Sequence, residues 1–237
     1  MNDESTGRGQ RPALQEAPRT GEGIICLHED ADLLILDKPS GLLCVPGRGP
    51  DKQDCLSARA QQRWPDALVV HRLDQATSGL VVMARNLASQ RLLGDAFAQR
   101  QVHKRYVAVV AGQPAAPPGG APGEWVPIDL PIAADWERRP LRVIDARLGK
   151  PSRTLWRALP GACAWPGTRV ELQPVTGRTH QLRVHMAAIG HPILGDALYA
   201  DAAGQAAAPR LLLHAHCLEL AHPATGHWLQ YQSDMPF

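Results

Sequence analysis

The stretch His71-Arg72-Leu73-Asp74-Gln75-Ala76-Thr77-Ser78-Gly79-Leu80 sets one carboxylate in a turn-like segment between two apolar runs. The runs Ala67-Leu68-Val69-Val70 and Leu80-Val81-Val82-Met83 read as short buried strands, and Asp-Gln-Ala-Thr-Ser-Gly supplies the small and polar residues of a connection. Loops held by a rigid scaffold are where catalytic groups concentrate. Spacing alone leaves two readings of Asp74 open. It is either a chemically active carboxylate or an Asx turn that folds back on nearby backbone amides.

Outward from this segment the pattern alternates without a regular rhythm. Ile24-Ile25-Cys26-Leu27-His28 and Leu33-Leu34-Ile35-Leu36, joined by the acidic turn Glu29 to Asp32, predict a hairpin that Lys38-Pro39-Ser40-Gly41 ends. Asn86 to Gln101 has an Asn cap and an apolar stripe of Leu92, Leu93, Ala96 and Phe97, which predicts an amphipathic helix. Val107 to Val110 returns to strand character. Gly112 to Gly123, with four prolines, predicts a loop. Thr168 to Val175 is strand-like. Thr179 to Ile189 predicts a helix with Leu182, Met186 and Ile189 on one face, stopped by Gly190 and Pro192. Leu211 to Leu220 and His227 to Tyr231 predict the last strands. The fold class is therefore α+β, a large mixed or antiparallel sheet flanked by helices and loops.

The 237 residues can bury a substantial core without disulfides. Residues 1–23 lack apolar periodicity and predict a disordered N-terminal tail with no signal-peptide h-region. No long uncharged apolar run is present, so no membrane partner is expected. Cys26, Cys44, Cys55, Cys163 and Cys217 form no CxxC pair and are odd in number, which points to reduced thiols and a cytoplasmic location. The formal net charge is +2, and residues 24–237 alone stand near +3. More informative are local basic clusters: Arg100, His103, Lys104 and Arg105; Arg138, Arg139 and Arg142; Arg178 and Arg183.

Four segments in fixed order carry the strongest signal. They are Leu36-Asp37-Lys38-Pro39-Ser40 with Gly41-Leu42-Leu43-Cys44-Val45-Pro46; the His71 to Gly79 run; Lys104-Arg105-Tyr106-Val107-Ala108; and Thr176-Gly177-Arg178-Thr179-His180-Gln181-Leu182-Arg183-Val184-His185. Together they resemble the RluA family of pseudouridine synthases, from about Ile24 to the C-terminus. The resemblance implies a single catalytic domain over 24–237 that isomerises uridine to pseudouridine in structured RNA. It implies no cofactor and no metal, and RNA as the partner; a monomer is expected. The accessory RNA-binding module that precedes this domain in many relatives is expected to be absent.

The resemblance also assigns roles. Asp74 matches the family's catalytic aspartate, and an ionised carboxylate can attack as a nucleophile and leave again. Burial alone would neutralise it, so a guanidinium beside it is expected. Arg183 matches that partner, which predicts an Arg183–Asp74 ion pair. Tyr106 matches the active-site tyrosine, whose ring can stack on a turning uracil. Arg72 resembles the arginine that fills the gap left when a base is flipped out. Arg178 is a phosphate-contact candidate, and His71 and Thr77 organise the loop or line the RNA path.

Two other classes compete. His214-x-His216 with His180 and His185 invites a metallohydrolase reading, though five-residue spacing on a helix is poor ligand geometry and HExxH is missing. A noncatalytic RNA-binding protein on the same fold has no need of a carboxylate facing a polyanion. Leu130 to Pro140 with Gly149-Lys150-Pro151-Ser152 looks like the small RluA branch, which acts on a large-subunit ribosomal RNA hairpin and on transfer RNA anticodon stem-loops.

Overall fold

The computed structural model describes residues 19–21, 24–115 and 123–237. Its strands are β1 (Arg19–Gly21), β2 (Ile24–Glu29), β3 (Leu33–Lys38), β4 (Leu68–Val69), β5 (Ser78–Ala84), β6 (His103–Ala111) and β7 (Val126–Asp129). After these come β8 (Ile132–Ala134), β9 (Arg142–Ile144), β10 (Arg153–Ala158), β11 (Gly167–Pro174), β12 (Leu213–Ala221) and β13 (Trp228–Gln232). The helices are α1 (Leu56–Arg63), α2 (Leu87–Ala98), α3 (Gln181–Ala188) and α4 (Ala202–Ala206).

The large sheet runs β1-β2-β3-β5-β12-β6-β11-β10-β7, with β4 on β5 and β13 on β12, and β8 and β9 form a separate hairpin. All its pairings are antiparallel except β5 with β12, so the sheet is mixed and the α+β expectation holds. The expectation of a structureless 1–23 falls mostly outside the described residues. Within it, Arg19–Gly21 pair with Ile24 to Cys26 of β2.

Strand periodicity explains how this sheet is covered. Leu34, Leu36, Val81 and Met83 face one apolar cluster with Leu56, Ala60 and Trp64 on or just after α1, while Leu33, Ile35, Leu80 and Val82 face another with Leu93 of α2. With both faces buried, β3 and β5 read as continuous apolar runs rather than alternating ones. The α2 cap is as expected: the Asn86 side chain accepts from Ser89 N at 2.8 Å. At the other end of the chain α3 and Gly190, with φ +85°, match the predicted helix and stop.

Where β5 meets β12 the sheet forks. The two strands pair in parallel only at Ser78–His214 and Gly79–Ala215; past that point β5 takes β4 and β12 takes β13. Gly79 has φ +110°, and a Cβ there would strike the backbone of Ala215, so glycine is required. A directed hydrogen-bond chain closes the fork. Arg210 Nη2 donates to Ser78 Oγ (2.5 Å), Ser78 to His214 Nδ1 (2.9 Å), His214 Nε2 to Ser233 Oγ (3.1 Å), and Ser233 to Asp37 Oδ2 (2.5 Å). Every member is satisfied with His214 neutral, and burial, followed by the nearby His216, pulls its pKa down to about 4. The chain pins the start of β5, and with it the end of the loop that carries Asp74.

Candidate active site

Asp74 lies on the connection between β4 and β5, and a second loop holds that connection from outside. Lys38 is fully buried, and its ammonium donates to the carbonyls of Pro39 (2.8 Å), Leu42 (2.7 Å) and Gln75 (3.0 Å). Burial draws its pKa down to about 8, still above neutrality, and three N–H groups meet three acceptors. Ser40 Oγ donates to Ala76 O at 2.7 Å, and Gly41 N to Gln75 O at 2.9 Å. The Lys-Pro-Ser-Gly segment is thus a brace for the aspartate loop.

The Asp74 carboxylate is not spent on a local turn. Only the backbone closes one, with Thr77 N donating to Asp74 O at 3.1 Å. Its side-chain oxygens face Arg183 Nη1 at 3.6 Å and His180 Nε2 at 3.9 Å, both delivered by the start of α3. The expected ion pair to Arg183 is present, but it is not the arginine's tightest contact. Arg183 makes a bidentate pair with Asp196, Nε to Oδ2 at 2.8 Å and Nη2 to Oδ1 at 2.6 Å. Asp196 is fully buried and also accepts from Leu198 N and Tyr199 N.

Two further groups complete this cluster. Tyr199 Oη accepts from Arg142 N at 3.0 Å, which leaves its proton for His180 Nδ1 at 2.7 Å. Neutral His180 then carries its hydrogen on Nε2, toward Asp74. Burial keeps the His180 pKa low, with Arg183 adding to the effect and Asp74 opposing it. The Arg183 guanidinium sits over the Tyr199 ring, 5.1 Å from its centroid. Gly195 is indispensable beside Asp196: its φ is +72° and a Cβ would overlap the Arg210 carbonyl.

Tyr106 comes from β6, buried and flanked in register by Ala215 of β12 and Leu172 of β11. Burial, then the Asp74 charge, raises its pKa, so at neutral pH the phenol holds its proton. Asp74, Tyr106, His180 and Arg183 share a cavity of about 490 Å³.

The family model for RNA pseudouridylate synthase matches residues 32–188. The chain is 44% identical over 214 residues to the dual-specificity RNA pseudouridine synthase RluA of Escherichia coli K12, covering 90% of this chain and 94% of that protein. The chain belongs to the RluA family of RNA pseudouridine synthases. Identity to the Vibrio parahaemolyticus protein of the same name is 43%, covering 92% of this chain and 85% of that one. Among solved structures, human RNA pseudouridylate synthase domain containing 1 superposes with a TM-score of 0.74 at 28% identity, over 94% of this chain and 87% of its own. Human RNA pseudouridylate synthase domain containing 4 gives 0.67 at 27% identity, over 89% and 88%.

In this RluA-family synthase the residues singled out from sequence are brought together, but not all in the same capacity. Arg72 and Arg178 are exposed at the cavity, and among the described residues the Arg178 guanidinium reaches only the Pro151 carbonyl, at 3.4–3.5 Å. Arg72 has no ion pair with Asp74 among the described residues. His71 Nε2 accepts from Val82 N at 3.0 Å and its ring stacks on Phe97 at 4.4 Å, while Thr77 is buried. Their contacts are those of residues that set the loop. Asp196, Tyr199 and His180 as a hydrogen-bonded unit were not foreseen. The one local sign is an acid following Gly195 in an otherwise apolar stretch.

The metal-ligand histidines of the competing reading have other commitments in this synthase. His185 donates from Nε2 to Leu130 O (3.0 Å) and accepts at Nδ1 from Thr154 Oγ1 (2.9 Å), and His214 is held in the fork chain. Elsewhere, Asp30, Asp32 and His222 gather one ligand atom each. Yet His222 Nδ1 accepts from Ala224 N and Thr225 N, so its Nε2 bears the proton and donates to Asp30.

Proposed function

We propose that this protein converts uridine to pseudouridine in structured RNA, with a large-subunit ribosomal RNA hairpin, transfer RNA anticodon stem-loops, or both as substrates. The supporting observation is the Asp74 carboxylate, free of local hydrogen bonds and facing Arg183 in a cavity shared with Tyr106. In the isomerisation the N1–C1′ bond breaks, C5 bonds to C1′, the C5 proton leaves and N1 gains one. Atoms are conserved, so one nucleophile with acid–base help suffices. Asp74 supplies the attacking oxygen, Arg183 faces and aims it, and the Tyr106 ring gives the turning base a face without fixing its orientation.

A uridine in a stem-loop reaches this cavity only after extrusion, at a cost of about a few kcal/mol of stacking. Arg72, exposed beside Asp74, suits the vacated place, and Arg178 suits a phosphate. Cys44, Cys55, Cys163 and Cys217 form no disulfide, which supports a cytoplasmic enzyme, and the proposed form is a monomer. Among the described residues no helix is long and apolar enough to cross a membrane.

The deciding experiment incubates purified protein with unmodified ribosomal and transfer RNA and maps pseudouridine by site. Asp74→Asn is expected to lower single-turnover formation by roughly 10³-fold or more while RNA is still bound. An active Asp74→Asn protein removes the nucleophile assignment.

A further inference from the structure

We propose that Arg100 and Lys104 form a clamp for the RNA backbone beside the extruded nucleotide, a phosphodiester site separate from Asp74, Tyr106 and Arg183. The clamp rests on the RNA-modifying function proposed above.

The first observation is where Arg100 stands. After α2 the chain closes with Arg100 N donating to Phe97 O at 3.2 Å and Gln101 N to Ala96 O at 2.8 Å, the paired bonds of a Schellman ending. Its left-handed position, normally glycine, is Arg100 with φ +62°. A side chain is therefore kept where the backbone disfavours one. Arg100 is exposed, lines the 490 Å³ cavity, and has no carboxylate partner among the described residues.

The second observation is independent and concerns Lys104. It lines the same cavity from β6 and is half-buried, with Nζ 5.5 Å from the Phe97 ring centroid. Burial lowers its pKa, and its charge helps drive the pKa of buried His71 down to about 3. Among the described residues it too faces no carboxylate. A half-buried ammonium beside an aromatic ring, with no carboxylate to answer it, gains from an anion arriving from outside.

The cavity as a whole favours a polyanion over a small acid. Among the described residues its lining holds a single carboxylate, Asp74, against Arg72 and Arg178 from two loops and Arg100 and Lys104 from the α2–β6 turn and strand. Cations from separate elements around one pocket match consecutive phosphates of a bent strand.

The test uses the full-length protein and a fluorescent substrate stem-loop. Arg100→Gly removes the side chain and relieves the left-handed strain. It is expected to raise the unfolding midpoint by about 2 °C or more, yet weaken RNA binding roughly 5-fold, with the salt dependence reduced by about one phosphate contact. Lys104→Met, which keeps the packing on Phe97, is expected to weaken binding similarly. In both variants the loss falls on KM more than on kcat. Arg100→Asn, which tolerates the same backbone, is expected to bind like Arg100→Gly. Unchanged affinity and salt slope in Arg100→Gly and Lys104→Met would overturn the clamp, as would a loss confined to kcat. Inorganic phosphate at matched ionic strength is expected not to displace the RNA; displacement would assign the pair to a free anion instead. If the wild-type protein forms no pseudouridine but the binding losses appear, the clamp stands and the catalytic reading fails.

Discussion

Strand β6 carries charge on both faces and treats it in opposite ways. Arg105 points to one face and meets Glu219 at 2.7 Å and Glu171 at 3.7 Å; Glu171 in turn holds Arg157 at 2.6 Å. Lys104 and Tyr106, one residue to either side, point to the other face and line the cavity, where Lys104 has no such carboxylate among the described residues. On the first face the protein neutralises its own arginines. On the second it leaves cations around the cavity for a ligand to neutralise, and the one carboxylate there, Asp74, is answered by an arginine already bound elsewhere.

That last arrangement predicts the largest effect. Asp196 holds Arg183 as Glu171 holds Arg157, but in full burial, so Asp196→Ala strands a buried guanidinium. A loss of about 3–5 kcal/mol in urea unfolding is expected, with pseudouridine formation reduced in whatever folds. A loss below about 1 kcal/mol would mean Arg183 is positioned by something else.

Acidification comes next. His214 and His71 are held with pKa values of about 4 and about 3, below the unfolded value near 6.5, chiefly by burial. The unfolded chain therefore binds protons first. Stability is full above about pH 6.5 and falls as pH drops toward 4, by up to about 1.4 kcal/mol per unit for each histidine. Unfolding curves between pH 7.5 and 4.5 test this, and His214→Gln should flatten the slope. A slope identical to wild type would break the assignment to the fork chain.

The smallest effect is expected on the paired face. Glu171→Gln should destabilise by about 1–2 kcal/mol through weaker charge-assisted bonds to half-buried Arg157 and Arg105. RNA affinity and its salt slope should not move. If they do, the two faces of β6 are not electrically separate.

The sequence-level reading succeeded where the signal is local. The β2–β3 hairpin, the Asn86 cap and the Gly190 stop each depend on a few neighbouring residues, and all appear within a residue or two of their expected positions. α1 was not foreseen. Its eight residues carry a Cys cap, in which Cys55 Sγ accepts from Ala58 N at 3.4 Å, and cysteine is not a usual start signal. The Arg183–Asp74 pair was expected from family resemblance, not from spacing.

By itself the sequence determined the alternation of strands and helices, the burial of both faces of the central strands, and the aspartate loop, because these follow from periodicity and turn chemistry. Tertiary structure alone decided that Asp196 binds the arginine facing Asp74, that Lys38 braces the loop, and that Arg100 occupies a glycine's backbone at the cavity. The Lys38 brace joins residues 37 apart, Asp196 lies 13 beyond Arg183, and Arg100 reaches the cavity only through the packing of α2 beside β6; hydrogen-bond geometry and desolvation exist only once the chain has closed around them.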